Sequence, residues 1–255
     1  MTMTAAQRFS ETAVGYAATM VPSLCPIAAE VVQRAALRPD ESVLDLGTGT
    51  GIAAAAARGE GRTITAIDAA PGMLEIARAE VAGVEFVEMD FGALAFDAER
   101  FDVLVAVHSL LFAADQAAVL SEWLRVTRPG GRLSLSVPGP VEVTPTSIYG
   151  EIYERYGIDT AGRYPTASLL ASMATATGWT DASVDANPTA AIVLADEAAF
   201  RTWRQIGSRG AATADLTLAQ HHALTDEMLE VTPRDADGML RIPFGAFFLT
   251  AERPA

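Results

Sequence analysis

The sequence predicts an α/β domain built on a parallel sheet with helices on both faces. Three observations carry that expectation. Apolar strand-like runs alternate with helical segments at spacings of about 20 to 30 residues, the pattern of strand–helix–strand units. A glycine-rich turn, Gly47-Thr48-Gly49-Thr50-Gly51, follows the first such strand and opens a helix. The chain has 255 residues, half of them apolar, enough for one large domain with a real core.

Taken in order, residues 5–37 read as helical with a break near Pro22 and Pro26. A turn at Arg38-Pro39-Asp40-Glu41 leads into a strand at 42–46. A helix over 52–57 stops at Arg58-Gly59, and a second strand covers 63–67. A helix at about 72–80, a strand at 84–88 and a strand at 101–107 follow. A helix over 117–126 closes on a Pro129-Gly130-Gly131 turn before a strand at 132–137. Beyond that the rhythm changes. Residues 140–165 read as a connection with a short helix, 166–178 as a helix, and 182–194 as a strand broken near Asn187-Pro188. Residues 196–230 are mainly helical, and 240–250 close with an apolar strand. The expected organisation is a single domain, 1–255, with amino-terminal lid helices over 1–35, a core over 36–138, and a substrate-side cap from 139–165 and 196–238.

Composition excludes several classes of function. The 18 basic residues are all arginine, and against 32 acidic residues they leave a net charge of −14. A phosphate backbone is repelled by such a chain, so no nucleic-acid partner is expected. Cys25 stands alone, so no intrachain disulfide, cysteine metal site or redox pair is expected. No apolar run has the length of about 18 residues that a membrane span needs, and no secretory leader is visible. The expectation is a cytoplasmic protein with no membrane partner, monomer or homodimer.

The glycine turn asks for a ligand that the backbone approaches closely. A triphosphate is disfavoured, because GxxxxGK[ST] is absent and the chain contains no lysine. A dinucleotide needs GxGxxG, but Gly51 occupies the fifth place and Ile52 the sixth. Asp45, two residues before the glycines, has little use beside a pyrophosphate and makes sense near a positive group such as an α-ammonium. Asp68 ends the second strand, where a carboxylate can take ribose hydroxyls, although it could also cap the next helix. Asp90 follows the third strand and can accept from an adenine amino group, with Met89 and Phe91 as apolar contacts; it too could be a cap. An ammonium, a ribose and an adenine without phosphate describe S-adenosyl-L-methionine. Asp102 stands at a strand entrance, the wrong end for chemistry, and reads as structural.

The segments VLDLGTGTG, ITAIDAAPGMLEIAR, VEFVEMDFGAL, FDVLVAVHSLLF and LSEWLRVTRPGGRLSLSVP, over about 43–138, resemble the class I S-adenosylmethionine-dependent methyltransferases, in the small-molecule and quinone-biosynthesis-like group. The resemblance implies a Rossmann-like, mostly parallel seven-stranded sheet with an antiparallel last strand and helical cap elements. It implies that Asp45, Gly47, Gly49 and Gly51 hold the methionine part and Asp68 the ribose. Ala69 and Met73 would line the adenosine, Asp90 and Phe91 would address the adenine, and Ala106 and Val107 would lie beside the methyl donor. Ala70 stands where the family often has serine.

The implied activity is methyl transfer to an oxygen, nitrogen or carbon nucleophile of a small molecule by in-line displacement. His108, just after the fourth strand, is the candidate base or orienting group, and it could equally pack against the cofactor. Tyr149 and Tyr153, with Tyr156, share a helical face that could cover an apolar substrate or simply pack its helix. Tyr16 is a pocket candidate, since related enzymes fold such a segment over the cofactor. Trp203 and the 244–248 run read as core or pocket wall, with core favoured for the strand residues. His221 and His222 are adjacent on a helix and form no metal motif, so no metal site is expected. The competing readings are an NAD-dependent oxidoreductase, which would lack the Tyr-xxx-Lys proton relay, and a cofactor-binding scaffold without activity.

Overall fold

The computed structural model describes residues 3–139, 148–158, 165–206 and 213–255. Its strands are β1 (Ser42–Leu46), β2 (Thr63–Asp68), β3 (Glu85–Glu88), β4 (Phe101–Val107), β5 (Thr127–Pro138), β6 (Thr180–Asn187), β7 (Ala191–Leu194), β8 (Leu240–Pro243) and β9 (Ala246–Glu252). One seven-stranded sheet runs in the order β3-β2-β1-β4-β5-β9-β6. The first five strands are mutually parallel, and β9 is antiparallel to both of its neighbours. This is the Rossmann-like sheet expected, with its antiparallel final strand.

Helices α1 (Ala5–Glu11), α2 (Ala13–Thr19), α3 (Val21–Arg34), α4 (Ile52–Ala57) and α5 (Pro71–Glu80) belong to the first third of the chain. They are followed by α6 (Gln116–Val126), α7 (Gly150–Arg155), α8 (Ala167–Ala176), α9 (Glu197–Arg204) and α10 (Leu218–Val231). The period-two alternation of the strands sorts side chains to two faces. Val43, Val103 and Val105 join α3, α4 and the cap in one core, while Leu44, Leu104 and Ala106 join α6 and α8 in the other. On the second face Trp123 and Trp179 are fully buried. Their indole N–H groups donate to the carbonyls of Phe91 (2.9 Å) and Leu120 (3.0 Å), so neither leaves a buried donor unpaired.

Two boundaries differ from expectation. The Pro129-Gly130-Gly131 segment lies within β5 as a bulge, with Phe101 opposite Thr127 and Val103 opposite Arg132. Gly130 takes a φ of +72°, and a Cβ on Gly131 would stand 2.8 Å from the Asp102 carbonyl, so two glycines permit what reads in sequence as a turn. The strand over 182–194 divides into β6 and β7 just after Asn187, where its break is expected, whereas the single strand expected over 240–250 also divides, into β8 and β9. The two breaks lie opposite one another: Asn187 pairs with Ala246 on one side and Ala191 with Pro243 on the other. The Ala190 carbonyl receives the N–H groups of both Phe244 and Gly245. One long antiparallel pair thus leaves the sheet and continues as a two-stranded ribbon in the cap. Parts of the expected 139–165 and 196–238 caps, residues 140–147, 159–164 and 207–212, lie outside the described residues.

Pro22 sits in the first turn of α3, and the axes of α2 and α3 differ by 76°. No single helix among the described residues is long and apolar enough to cross a membrane. Helix α1 opens with a reciprocal Thr4–Gln7 capping box and docks on α5, where the Gly72 N–H donates to Ser10 Oγ at 2.8 Å. A Cβ at Gly72 would meet the Ser10 carbonyl oxygen at 2.5 Å. Gly72→Ala is therefore expected to lift α1 from α5 and cost about 1–3 kcal/mol by overpacking. Limited proteolysis should cut the α1–α2 segment faster in the variant while the sheet core stays resistant.

Candidate functional site

The carboxyl ends of the parallel strands meet at one edge, where ligands bind in open α/β sheets. Strand pairing carries on one or two residues beyond those ends: Thr48 N–H donates to the Ile67 carbonyl (2.8 Å), Met89 N–H to Asp68 (3.0 Å) and His108 N–H to Ser136 (3.0 Å). The loops that follow β1, β3 and β4 are thereby stitched to neighbouring strands. Above them lies a cavity of about 350 Å³, a normal size for a small-molecule site.

Its floor brings together Gly47, Gly49, Asp68, Ala69, Met73, Asp90, Phe91, Val107 and His108. Tyr16 lines the opposite wall with Phe9, Met20 and Leu24 of the amino-terminal helices. Phe9 meets Tyr16 and Phe112 edge-on at 6.1 and 5.1 Å, closing that side. No arginine stands among the described lining residues, and the carboxylates there are Asp68 and Asp90. The floor beside these two acids accordingly favours a neutral or cationic group over an anionic one.

The glycine loop owes its shape to two acids. Asp68 Oδ2 accepts from Gly49 N–H (2.8 Å) and Oδ1 from Ala70 N–H (2.9 Å). Burial raises its carboxyl above the usual range, against the pull of these backbone amides. Asp45 lies behind the loop, outside the cavity wall. Its Oδ2 accepts from Thr48 Oγ1 (2.6 Å) and from Ala54 N–H (2.9 Å) in the first turn of α4. Burial without a cation pushes it up to about 7, with a further contribution from Asp68. Its Oδ1 has no partner among the described residues. Gly51 and Ala106 also stand behind the wall. Gly51 caps α4 at a φ of +87°, facing Ala77, Val81 and Phe86, and Ala106 is buried in the sheet.

Asp90 is exposed at the rim, where its Oδ1 accepts from Gly92 N–H at 2.8 Å. Phe91 is held by an edge contact to Trp123 at 6.2 Å. His108 adopts a φ of +52°, a region few non-glycine residues occupy and one found often at functional sites. Its Nδ1 lies 3.1 Å from Ser136 Oγ, and its ring meets Phe244 edge-on at 5.6 Å. Burial pushes the imidazole down to about 4, only partly offset by the Ser136 backbone carbonyl, so the ring is neutral near pH 7.

Tyr149 and Tyr153 do not join the cavity among its described lining residues. Both are buried in the core, 6.1 Å apart edge-to-face, and the Tyr149 hydroxyl pairs with Thr232 Oγ1 at 2.8 Å. Tyr156 donates to Glu227 of α10 at 2.7 Å. The tyrosine face packs α7 on α10 instead of covering a ligand. Asp102 holds the opposite edge of the sheet, accepting from the N–H (2.8 Å) and hydroxyl (2.6 Å) of Ser42. Trp203 and Phe248 are core, whereas Phe244, in the connection between β8 and β9, lines the cavity. Among the described residues no group of histidine, cysteine and carboxylate side chains could hold a metal ion.

Ser109 is a wall residue that sequence reasoning missed. Its Oγ is buried without a partner, and a Cβ on Gly47 would stand 2.5 Å from the Ser109 Cβ. Ser109 thus enforces glycine at 47, and only the fold reveals that contact. Removing its unpaired hydroxyl should not harm folding. Ser109→Ala is expected to melt at an unchanged or slightly higher temperature yet bind the cavity's ligand about tenfold more weakly, the worth of one neutral hydrogen bond. Titration calorimetry beside a melting curve separates the two effects.

Part of the chain that forms the cavity floor is similar to known proteins. Residues 44–135 match the family model of a methyltransferase domain. A malonyl-[acyl-carrier protein] O-methyltransferase of Serratia marcescens is 34% identical over 98 residues, 38% of this chain and 38% of that protein. A demethylmenaquinone methyltransferase of Thermus thermophilus is 38% identical over 132 residues, 49% of this chain and 58% of that one. These matches span less than two thirds of the length of either relative. Among solved structures, a Haemonchus contortus phosphoethanolamine N-methyltransferase 2, bound to phosphomonomethylethanolamine and S-adenosylhomocysteine, superposes with a TM-score of 0.64 at 16% identity. That match covers 100% of this chain and 61% of that protein, and it speaks for the fold.

Proposed function

On the premise that the chain belongs, through residues 44–135, to the class I S-adenosylmethionine-dependent methyltransferases, we propose that it transfers a methyl group from S-adenosyl-L-methionine to a nucleophile of an apolar small molecule. The observation that carries this reading is a cavity floored by Gly47, Gly49, Asp68 and Asp90 with no arginine among its described lining residues. A positively charged, phosphate-free nucleoside suits that floor, whereas a dinucleotide pyrophosphate would face carboxylates.

The residues present fit the donor. Gly49 has open space where a Cβ would stand, and the unpartnered Ser109 Oγ and Asp45 Oδ1 border the loop. Gly47, Gly49 and Ser109 would receive the methionine part, with Asp45 behind them answering its ammonium. Asp68 would take the ribose hydroxyls. Ala69 and Met73 would flank the adenosine, and Asp90 and Phe91 would address the adenine. Val107, which ends β4, and His108, which follows it, would lie beside the transferring carbon. When bound, S-adenosylmethionine supplies a methyl group on a sulfonium, whose C–S electron pair returns to sulfur as the acceptor's lone pair takes the carbon. The chain's own part is alignment and exclusion of water. Helices α1 and α2 cover the cleft, and Tyr16, Met20, Leu24, Ile192 and Phe244 give the acceptor side an apolar wall. The 1–35 segment would act as a lid, 36–138 as the donor half, and 196–238 with the β7–β8 ribbon as the acceptor half. Cys25 is a free, exposed thiol, in keeping with a reducing, cytoplasmic setting.

Calorimetric titration with S-adenosylmethionine, S-adenosylhomocysteine, NAD and NADP tests the donor. Binding of both sulfur nucleosides and neither dinucleotide is the expected result. Binding of NAD with no response to the sulfur nucleosides would overturn the proposal. A methyl-transfer screen over phenols, amines and carbon acids then addresses the acceptor.

A further inference from the structure

Two buried side chains at the cavity have a hydrogen-bonding balance that only one proton arrangement satisfies. Ser136 is fully buried on β5, and the partner of its hydroxyl among the described residues is His108 Nδ1, at 3.1 Å. His108 Nε2 is buried and has no partner among the described residues. If Nδ1 carried the proton and donated it to Ser136, the serine's own O–H would have no acceptor, and Nε2 would be unpaired as well. If Nδ1–H turned to the Ser136 carbonyl, which already receives the His108 backbone N–H at 3.0 Å, the serine proton would again be stranded. With Ser136 O–H donating to Nδ1, both of those atoms are satisfied and one group remains, an Nε2–H. Buried polar groups in folded proteins are paired, so the arrangement with fewest stranded groups prevails.

We propose that Ser136 is a positioning residue that fixes His108 as its Nε2–H tautomer, and that His108 then donates a hydrogen bond to an oxygen of the methyl acceptor instead of removing its proton. This inference rests on the methyltransferase reading for the word acceptor, but the tautomer itself does not depend on it. The substrate class follows. The other titratable side chains of the described wall are Asp68 and Asp90, placed at the donor, and Tyr16. Phe244 and Pro138, which complete the surroundings of the imidazole in that wall, carry no charge. With no group poised to take a proton, the acceptor must arrive as a nucleophile. An apolar phenol or enol acidic enough to ionise in water, losing its proton to solvent, meets that need. Its oxyanion would accept from Nε2–H, while the methyl-accepting lone pair lies on that oxygen or on the conjugated carbon.

The test uses the full chain, uniformly labelled with nitrogen-15, with His221→Asn and His222→Asn introduced so that one histidine remains. Two-bond proton–nitrogen spectra at neutral pH should show a pyrrole-type Nε2 and a pyridine-type Nδ1. Ser136→Ala should populate the other tautomer, and Ser136→Thr, which keeps the hydroxyl, should restore the first. A pyrrole-type Nδ1 in the parent protein, or spectra indifferent to Ser136→Ala, would overturn the positioning role whether or not any methyl donor binds. The donor role is read with 4-nitrophenol as probe, titrated across its own ionisation and followed by its visible absorption. The bound phenol should ionise at lower pH in the parent than in His108→Phe, with at least a tenfold preference for the phenolate lost in the variant. Equal ionisation in the two proteins, preference for the neutral phenol, or no binding would overturn it. A separate titration with S-adenosylhomocysteine reports on the donor site, so failure of the methyltransferase reading is distinguishable from failure of this one.

Discussion

Asp68→Ala is expected to weaken S-adenosylmethionine binding by about 100- to 1000-fold, on the basis that two charge-assisted hydrogen bonds are worth roughly 1.5–3 kcal/mol each. Asp68 stands at the carboxyl end of β2 in the cavity floor. It also accepts from the Gly49 and Ala70 amides, so the substitution removes the ligand's partner and loosens the loop that cradles it. Those two effects can be separated. Asp68→Asn keeps a side-chain oxygen for one amide but removes the charge. It should fold like the parent and still bind more than tenfold more weakly, since a neutral acceptor makes a hydrogen bond about half as strong. Calorimetric titration of the three proteins decides the matter. An affinity for S-adenosylmethionine unchanged in Asp68→Ala would remove the carboxylate from the ribose site.

The second large effect concerns Asp45, whose carboxyl is pushed up to about 7 by complete burial, with Asp68 adding to it. The unfolded chain releases this proton near pH 4. Between about pH 4 and pH 7 the folded protein therefore holds a proton that the unfolded chain does not. The sign follows from linkage: stability falls as pH rises through that window and levels off above it. From pH 6 to pH 8 the loss from this one group is about 1 kcal/mol. Thermal melts of the ligand-free protein should show that decline, and Asp45→Asn should flatten it. A cation near the carboxylate favours its charged form, so binding a ligand with an ammonium should release a proton near neutrality and tighten as pH rises. Calorimetry in buffers of different ionisation enthalpy measures that proton. No proton release, or the same pH dependence in Asp45→Asn, would separate Asp45 from the ligand's ammonium.

The parallel half of the sheet was legible in sequence because its determinants are local. β1, β2, β3 and β4 are apolar runs bounded by turn residues, and each starts within a residue of its expected place. The gathering of Gly47, Gly49, Asp68 and Asp90 on one cavity floor was legible for the same reason. Gly47, Gly49, Asp68 and Asp90 follow strand ends, and a parallel sheet brings strand ends to one edge. What escaped depends on contacts between distant segments. The shared break of the β6–β9 pair at Pro188 and Gly245 is set by two segments more than fifty residues apart, so neither strand pattern reveals that they leave the sheet together. Tyr149 and Tyr153 share the helical face expected of them, but periodicity states which residues face together and not what they face. Helix α10 occupies that face. Asp45 stands at the strand end where the sequence put it, yet its depth behind the loop came from Thr48 and Ala54 closing over it.

The paired strands that leave the sheet also bear on how a chain with the proposed activity could change its substrate. Ile192 on β7 and Phe244 beside β8 reach the acceptor side of the cavity from this ribbon, while Asp68, Asp90 and the glycine loop belong to β1, β2 and β3 at the other end of the sheet. Variation in the ribbon can therefore accumulate without disturbing the donor's hydrogen bonds, as a tool head is exchanged on a fixed handle. Recombining the ribbon and its flanking helices among homologous chains offers a route to new acceptors that leaves the methyl donor's seat intact.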